Sequence, residues 1–170
     1  MIEKIVDKKG VEWKVKIVSV EEHMEVDQPP GKDYVIHIKT TDRDFLKENN
    51  LDYLDSFPMD VGDIDFYPKE NLAYISQFFL WNALDLRNRG IGSQIMKCIE
   101  KVTREKNIDV ISGFINHSMK ASAGFWKKMG FKLIEIKKPK NRNLKYVIYK
   151  KLRDIPGWNE KKVIEKILKL

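Results

Sequence analysis

Residues 80 to 93, Leu-Trp-Asn-Ala-Leu-Asp-Leu-Arg-Asn-Arg-Gly-Ile-Gly-Ser, restrict the possible folds more than any other stretch. An apolar strand runs into a loop, Gly90 and Gly92 flank Ile91, and an amphipathic helix begins at once. A helix start leaves its first backbone N–H groups without intrahelical acceptors at the positive end of the helix dipole, so a loop of this kind cradles phosphate oxygens. Glycine lets backbone approach a pyrophosphate with no Cβ in the way. Arg87 and Arg89 add positive charge. The two commoner phosphate loops do not fit: there is no Gly-Lys-Ser/Thr ending, and no third glycine of a dinucleotide fingerprint.

The surrounding chain fits one compact domain. A length of 170 residues with 42% hydrophobic content is enough to bury a proper core. The expected division is a domain over 1–155 and a short helical tail over 156–170. No apolar run approaches a membrane span and the N-terminus has no apolar leader, so a soluble, cytoplasmic protein is expected. The single cysteine, Cys98, excludes an internal disulfide framework. His23, His37 and His117 show no metal-ligand spacing with Cys98, and no metal is expected. Charge is unevenly spread: Thr41 to Glu70 holds nine acidic residues against three basic, and Lys120 to Arg153 holds twelve basic residues against Glu135 alone. Such runs are either solvated surface or faces turned towards phosphates and a charged acceptor.

Periodicity supplies the elements. Val11, Trp13, Val15 and Ile17 alternate with Glu12, Lys14 and Lys16, which predicts a half-buried strand paired through a Lys8-Lys9-Gly10 turn with Ile2 to Val6. Residues 21 to 33, with Pro29-Pro30-Gly31, predict a loop, and Tyr34 to Lys39 a further strand. Thr41 is the expected N-cap of a helix that the Asn49-Asn50 pair ends, and Leu51 to Phe57 is expected as another helical turn stopped by Pro58. Asp63 to Tyr67 and Leu72 to Trp81 form a hairpin across Pro68-Lys69-Glu70-Asn71. From Gly92 the period becomes helical through Ile95, Ile99 and Val102, with Asn107 as a left-handed stop. Asp109 to Ile115 is a parallel strand reached by a right-handed crossover. A helix over Met119 to Met129 ends at Gly130, and Phe131 to Lys137 and Leu144 to Lys151 form a last hairpin. Val163, Ile164, Ile167 and Leu168 make the tail amphipathic, ready to dock on the domain or on a second copy of the chain as a homodimer.

With these elements in place the loop becomes specific. It resembles the Arg/Gln-x-x-Gly-x-Gly/Ala motif of the GCN5-related N-acetyltransferase (GNAT) family, with Arg87, Gly90 and Gly92 in the defining positions. Gly124-Phe125-Trp126-Lys127-Lys128-Met129-Gly130-Phe131 is similar to that family's Leu-Tyr-x-Lys-x-Gly-Phe segment. Between about Asp63 and Lys151 the element order is also the family's, which implies an α/β fold with a central twisted mixed sheet flanked by helices. The first sixty residues depart from it, since the family usually has two helices between its first two strands.

The resemblance implies acetyl-CoA, or another acyl-CoA, as co-substrate and a primary amine, on a small molecule or a protein, as acceptor. The pyrophosphate would sit on the amides of Arg87, Asn88, Arg89, Gly90, Ile91, Gly92 and Ser93. The pantetheine arm would lie along Leu80, Trp81 and Asn82, with the Leu80 N–H as oxyanion donor for the charge that grows during amine attack. The family's strand carboxylate falls near Ser76, which is no base; Asp63, Asp65 and Tyr74 are the nearby substitutes. Trp126 stands where the family's tyrosine acid stands, and indole does not transfer a proton at neutral pH. His117, Ser122 and solvent are the remaining acids. The family's asparagine falls on Met119 by spacing, or on Asn116 with a longer loop.

Plainer readings accompany these. Phe125, Met129 and Cys98 read as core, and Trp126 as core or as a wall of the thioester channel. His23 and His37 read as surface or strand residues, and Asp63 and Asp65 as the solvent face of an edge strand. In the family the loop between the last two strands lies beside the acceptor. Its lysines and arginines, Lys137 to Lys145, would repel a polyamine and suit an acidic protein segment, a phosphorylated metabolite or, as the lesser reading without interleaved aromatics, RNA. Two alternatives to a free-standing N-acyltransferase follow: a non-catalytic acyl-CoA-binding protein on the same fold, and an RNA-directed acetyltransferase.

Overall fold

The computed structural model describes residues 1–19, 34–78, 86–116, 118, 122–137 and 143–170. They form two compact units: Met1–Asp65 with Gln77–Val102, and Phe66–Ser76 with Thr103–Leu170. The first holds β1 (Ile2–Val6), β2 (Glu12–Ser19), β3 (Tyr34–Thr40) and α1 (Arg43–Glu48). It also holds most of β4 (Phe57–Tyr67) and of α2 (Ile91–Glu105). Its strands run in the order β1-β2-β3-β4, all antiparallel.

The expected alternation places Trp13 and Val15 at zero exposure, and the Trp13 ring meets Phe45 of α1 edge to face at 5.1 Å. On α2, Ile91, Ile95, Met96, Cys98, Ile99 and Val102 are buried, one stripe at helical spacing. Each such aliphatic side chain contributes about 1.5–3 kcal/mol relative to exposure, so this stripe, more than helix propensity, anchors α2. Burial raises the Cys98 thiol pKa, as expected for a core cysteine.

The second unit holds β5 (Leu72–Phe78) for most of its length and β6 (Val110–Asn116). It continues with α3 (Ala123–Lys128), β7 (Lys132–Glu135), β8 (Leu144–Lys151) and α4 (Glu160–Ile167). Its order is β5-β6-β8-β7, with β5 parallel to β6 and the other pairs antiparallel. Parallel and antiparallel pairing together make this the mixed sheet expected. The tail docks on its own unit: Ile167 is fully buried in a cluster with Leu72, Val110, Val147 and Tyr149, and Val163, Ile164 and Trp158 pack against it. Val163, Ile164 and Ile167 of the tail's apolar face are therefore used within the chain, while Leu168 stays exposed. The Tyr149 hydroxyl donates to Glu160, which also pairs with Lys132; burial first, then this carboxylate, raises the tyrosine pKa.

The helix stops read from sequence are present. Asn50 and Asn107 adopt φ of 57° and 56°. Paired backbone bonds close the ends, Leu51 N to Leu46 O at 2.7 Å with Asn50 N to Lys47 O, and Ile108 N to Thr103 O at 3.1 Å with Asn107 N to Arg104 O. The same pattern follows α3, where Phe131 N donates to Trp126 O and Gly130 N to Lys127 O.

Five expectations need correction. The N-cap of α1 is Asp42, whose carboxylate accepts the Phe45 N–H at 2.8 Å, and not Thr41; ionised, Asp42 also suits the helix dipole. Leu51 to Phe57 holds no helix, and β4 begins at Phe57 and runs through Pro58, which is tolerated because proline needs no ladder N–H near a strand start. Asp63 and Asp65 are buried rather than solvent-facing, because β4 is covered on both faces from Val61 to Phe66. Of the described part of the Met119 to Met129 helix, only Ala123–Lys128 is α-helical, preceded by a 3-10 residue at Ser122. In it Trp126 is the buried residue while Phe125 and Met129 are half-buried, since a six-residue helix presents little more than one turn and its largest side chain fills the space against Phe131. The predicted loop at 21–33 and the basic loop at 138–142 lie outside the described residues, as does His23.

Candidate active site

The loop from Leu86 to Gly90 is anchored at both ends, by Leu86 and Ile91, each with zero exposure. Between them φ changes sign at successive residues. Asn88 lies at +61° and Gly90 at +79°, while Arg87, Arg89 and Ile91 keep the ordinary sign. Alternation of this kind turns consecutive backbone N–H groups into one concavity, a nest for anions. The amides of Ile91, Gly92 and Ser93 follow in the first turn of α2, where no intrahelical acceptor exists. The Ser93 hydroxyl donates to the Gly90 carbonyl at 3.0 Å, and the Gln94 amide closes the first helical bond to the same oxygen at 3.3 Å. Arg87 and Asn88 are exposed. The backbone and Arg87 thus fit a pyrophosphate.

Arg89 does not serve as the sequence suggested. Its side chain is 7% exposed and turns inward, with Nη2 2.5 Å from Asp7 Oδ2 and its guanidinium carbon 5.4 Å from the Phe45 ring centre. Asp7 is buried too, and accepts the N–H of Lys9 at 2.8 Å, of Val11 at 3.1 Å and of the Trp13 indole at 3.0 Å. Burial pushes the Asp7 carboxyl pKa up, but these three bonds and the Arg89 charge outweigh it, and the net shift is downward. Gly90 also works differently. A Cβ there would face Lys8 Cε at 3.6 Å, so what demands glycine on the side described is the positive φ.

Leu80, Trp81, Asn82 and His117 lie outside the described residues. Asn116 is the half-buried last residue of β6, paired with Leu144 after a register shift. Ser122 precedes α3 and makes no capping bond through its side chain. Trp126 is 5% exposed, edge to face with Phe125 at 5.3 Å and Phe131 at 4.9 Å. The seven loop residues are thus brought together in the first unit; Asn116, Ser122 and Trp126 belong to the second. Tyr74 stacks edge to face on Phe114. His37 bonds Asp60 at 2.8 Å, a strand residue with a neighbour, as the plainer reading had it.

Sequence reasoning missed Asp7, and named Asn88 for its amide without its left-handed φ. An aspartate opening an Asp-Lys-Lys-Gly turn is a turn signal, and asparagine tolerates the left-handed region, so both carried a local sign without showing what they face. Among the described residues no group of three or more His, Cys, Asp or Glu could hold a metal, and no helix is long and apolar enough to cross a membrane.

The architecture is shared with solved structures at low sequence identity. The GNAT domain of S. lividans PAT superposes with a TM-score of 0.53 at 11% identity, covering 89% of this chain and 97% of that one. A Klebsiella pneumoniae protein assigned to the acyl-CoA N-acyltransferases gives 0.53 at 12% identity, covering 83% and 98%. The PaiA N-acetyltransferase of Thermoplasma acidophilum, solved in complex with coenzyme A, gives 0.43 at 17% identity and is covered over 58% of its length by 56% of this chain. The fold is therefore that of the acyl-CoA N-acyltransferases. Residues 55–131 match the acetyltransferase (GNAT) family, so the family resemblance of the two motifs holds over that segment. No curated protein matches the chain in sequence.

Proposed function

We propose that the protein is an N-acyltransferase that moves an acetyl, or another acyl, group from acyl-CoA to a primary amine by direct attack on the thioester. The observation that carries this reading is the sign-alternating loop from Arg87 to Ile91 opening onto α2, within the segment that matches the GNAT family. Bound acyl-CoA supplies the thioester and a thiolate leaving group. The amides of Asn88 to Ser93 and the exposed Arg87 hold the pyrophosphate. By the family resemblance, Leu80, Trp81 and Asn82 would line the pantetheine arm and the Leu80 N–H would donate to the developing oxyanion.

The proton steps fall to few groups. A lysine-like amine has a pKa of about 10.4 and must lose a proton before attack. Asp63 and Asp65, two residues apart on β4, are the carboxylates that could take it through water. His117 or Ser122 would return a proton to the thiolate, whose pKa of about 8.5 also permits solvent to do so. Charge bears on the acceptor. The first unit has 13 basic and 18 acidic residues, net −5, and the second 19 basic and 7 acidic, net +12, together the +7 of the chain. A cationic second unit favours an anionic acceptor molecule over a polyamine.

Calorimetric titration of acetyl-CoA tests the reading. Native protein should bind, and Arg87→Glu should bind at least about tenfold more weakly, since one charge-assisted bond becomes a repulsion. No binding by the native protein defeats it. The packing of Trp126 between Phe125 and Phe131, in the place of the family's tyrosine, favours a second reading, a non-catalytic acyl-CoA-binding protein. That protein would bind acetyl-CoA yet release no CoA thiol with any of a broad amine and peptide panel.

A further inference from the structure

We propose that Asp7 is a positioning residue for the acyl-CoA pyrophosphate loop, acting through the buried Arg89 to keep the loop amides convergent. The inference rests on the acyl-CoA reading of that loop. Four contacts lash the loop and the start of α2 to the β1–β2 turn. Asp7 pairs with Arg89; the Lys8 N–H donates to the Arg89 carbonyl at 2.9 Å; the Gln94 side chain donates to the Val6 carbonyl at 2.8 Å; and Lys8 packs beside Gly90. Asp7 is itself immobilised by the Lys9, Val11 and Trp13 donors, so it presents its charge from a fixed point.

Arg89 occupies the middle of the alternating segment, between Asn88 and Gly90. Its Nε and Nη2 make no well-directed hydrogen bond among the described residues, so the Asp7 charge and the Phe45 ring face are what hold the guanidinium inside. A buried guanidinium deprived of its carboxylate is drawn towards water. Movement of that side chain carries the Arg89 backbone with it, and the neighbouring amides then cease to point at one anion. The motif's second arginine is thus a structural anchor for the ligand site, and the first, Arg87, is the one left to touch the ligand.

The test compares native protein, Asp7→Asn, the double variant Asp7→Asn/Arg89→Met, and Asp109→Asn as a control in the other unit. Acetyl-CoA affinity is measured by calorimetry and the amide resonances of residues 88–93 by NMR, without ligand and well below each variant's unfolding temperature. Asp7→Asn should lose about tenfold or more in affinity and shift the 88–93 amide resonances, while its affinity for S-acetylpantetheine, which lacks the pyrophosphate, stays at the native value. The double variant should regain thermal stability but not acetyl-CoA affinity. Asp109→Asn should bind like native. If the folded Asp7→Asn or double variant binds acetyl-CoA like native, or loses acetyl-CoA and S-acetylpantetheine in the same proportion, the positioning role is overturned. Failure of the native protein to bind acetyl-CoA instead removes the acyl-CoA reading on which the role rests.

Discussion

Two of the aspartate–arginine pairs, one from each unit, tie loops to the ends of strands, and they differ in dielectric setting more than in chemistry. In the second unit Arg153 grips Asp109 with both arms, Nε to Oδ1 at 2.6 Å and Nη2 to Oδ2 at 2.9 Å. Asn71, in the turn before β5, donates to the same carboxylate at 3.0 Å and accepts the Asp109 N–H at 2.7 Å. Yet the Arg153 side chain is 70% exposed. In the first unit Arg89 meets Asp7 with a single close approach, but the two side chains are 7% and 0% exposed. The better-formed fork is the one whose arginine water already solvates, over an Asp109 side chain 13% exposed that Asn71 also binds. Loss of one partner should therefore matter most where the geometry looks poorer.

That ordering can be broken by experiment. Arg89→Ala leaves the Asp7 carboxylate buried beside a cavity and should lower unfolding stability by about 3–5 kcal/mol, read from urea denaturation. Substituting both members of the pair should cost less than the sum of the single losses. The next effect depends on pH. Because the folded Asp7 pKa is lowered, its contribution is fully present above the unfolded value of about 3.9 and is lost as pH falls through the lower folded value. The stability gap between native and Asp7→Asn should accordingly be constant from pH 7 to about 5 and close below about 4. A gap that widens in acid would show the sign to be wrong. The smallest effect belongs to the pair with the exposed arginine, where Arg153→Ala leaves Asp109 the Asn71 bond and should cost about 1 kcal/mol, fading in high salt. A loss there as large as that of Arg89→Ala would overturn the argument from burial.

Much of the fold was legible because its signals are local. The α2 stripe, the stops at Asn50, Asn107 and Gly130, and the β8 boundaries all follow from spacing and turn chemistry within a few residues. The errors share a cause in what lies alongside an element. Asp63 and Asp65 alternate as a half-exposed strand would, and only the folded structure shows that β4 is covered on both faces there. Trp126 and Phe125 are adjacent in a helix of six residues, and Phe131 beyond the Gly130 stop decides which of the two is enclosed. The tail's apolar face was evident, but its occupant was not, since docking on its own chain and on a second copy demand the same pattern.

At the loop the division is clearest. The order Arg-x-x-Gly-x-Gly before an apolar helical stripe was enough to specify a tight loop opening onto a helix start, because free amides there need only the right dihedral angles and a buried stripe behind them. Which arginine stays in solvent was decided by tertiary structure alone. Arg87 and Arg89 are the same residue type two positions apart. A carboxylate from the β1–β2 turn, some eighty positions earlier in the chain, draws one of them into the core and leaves the other in solvent.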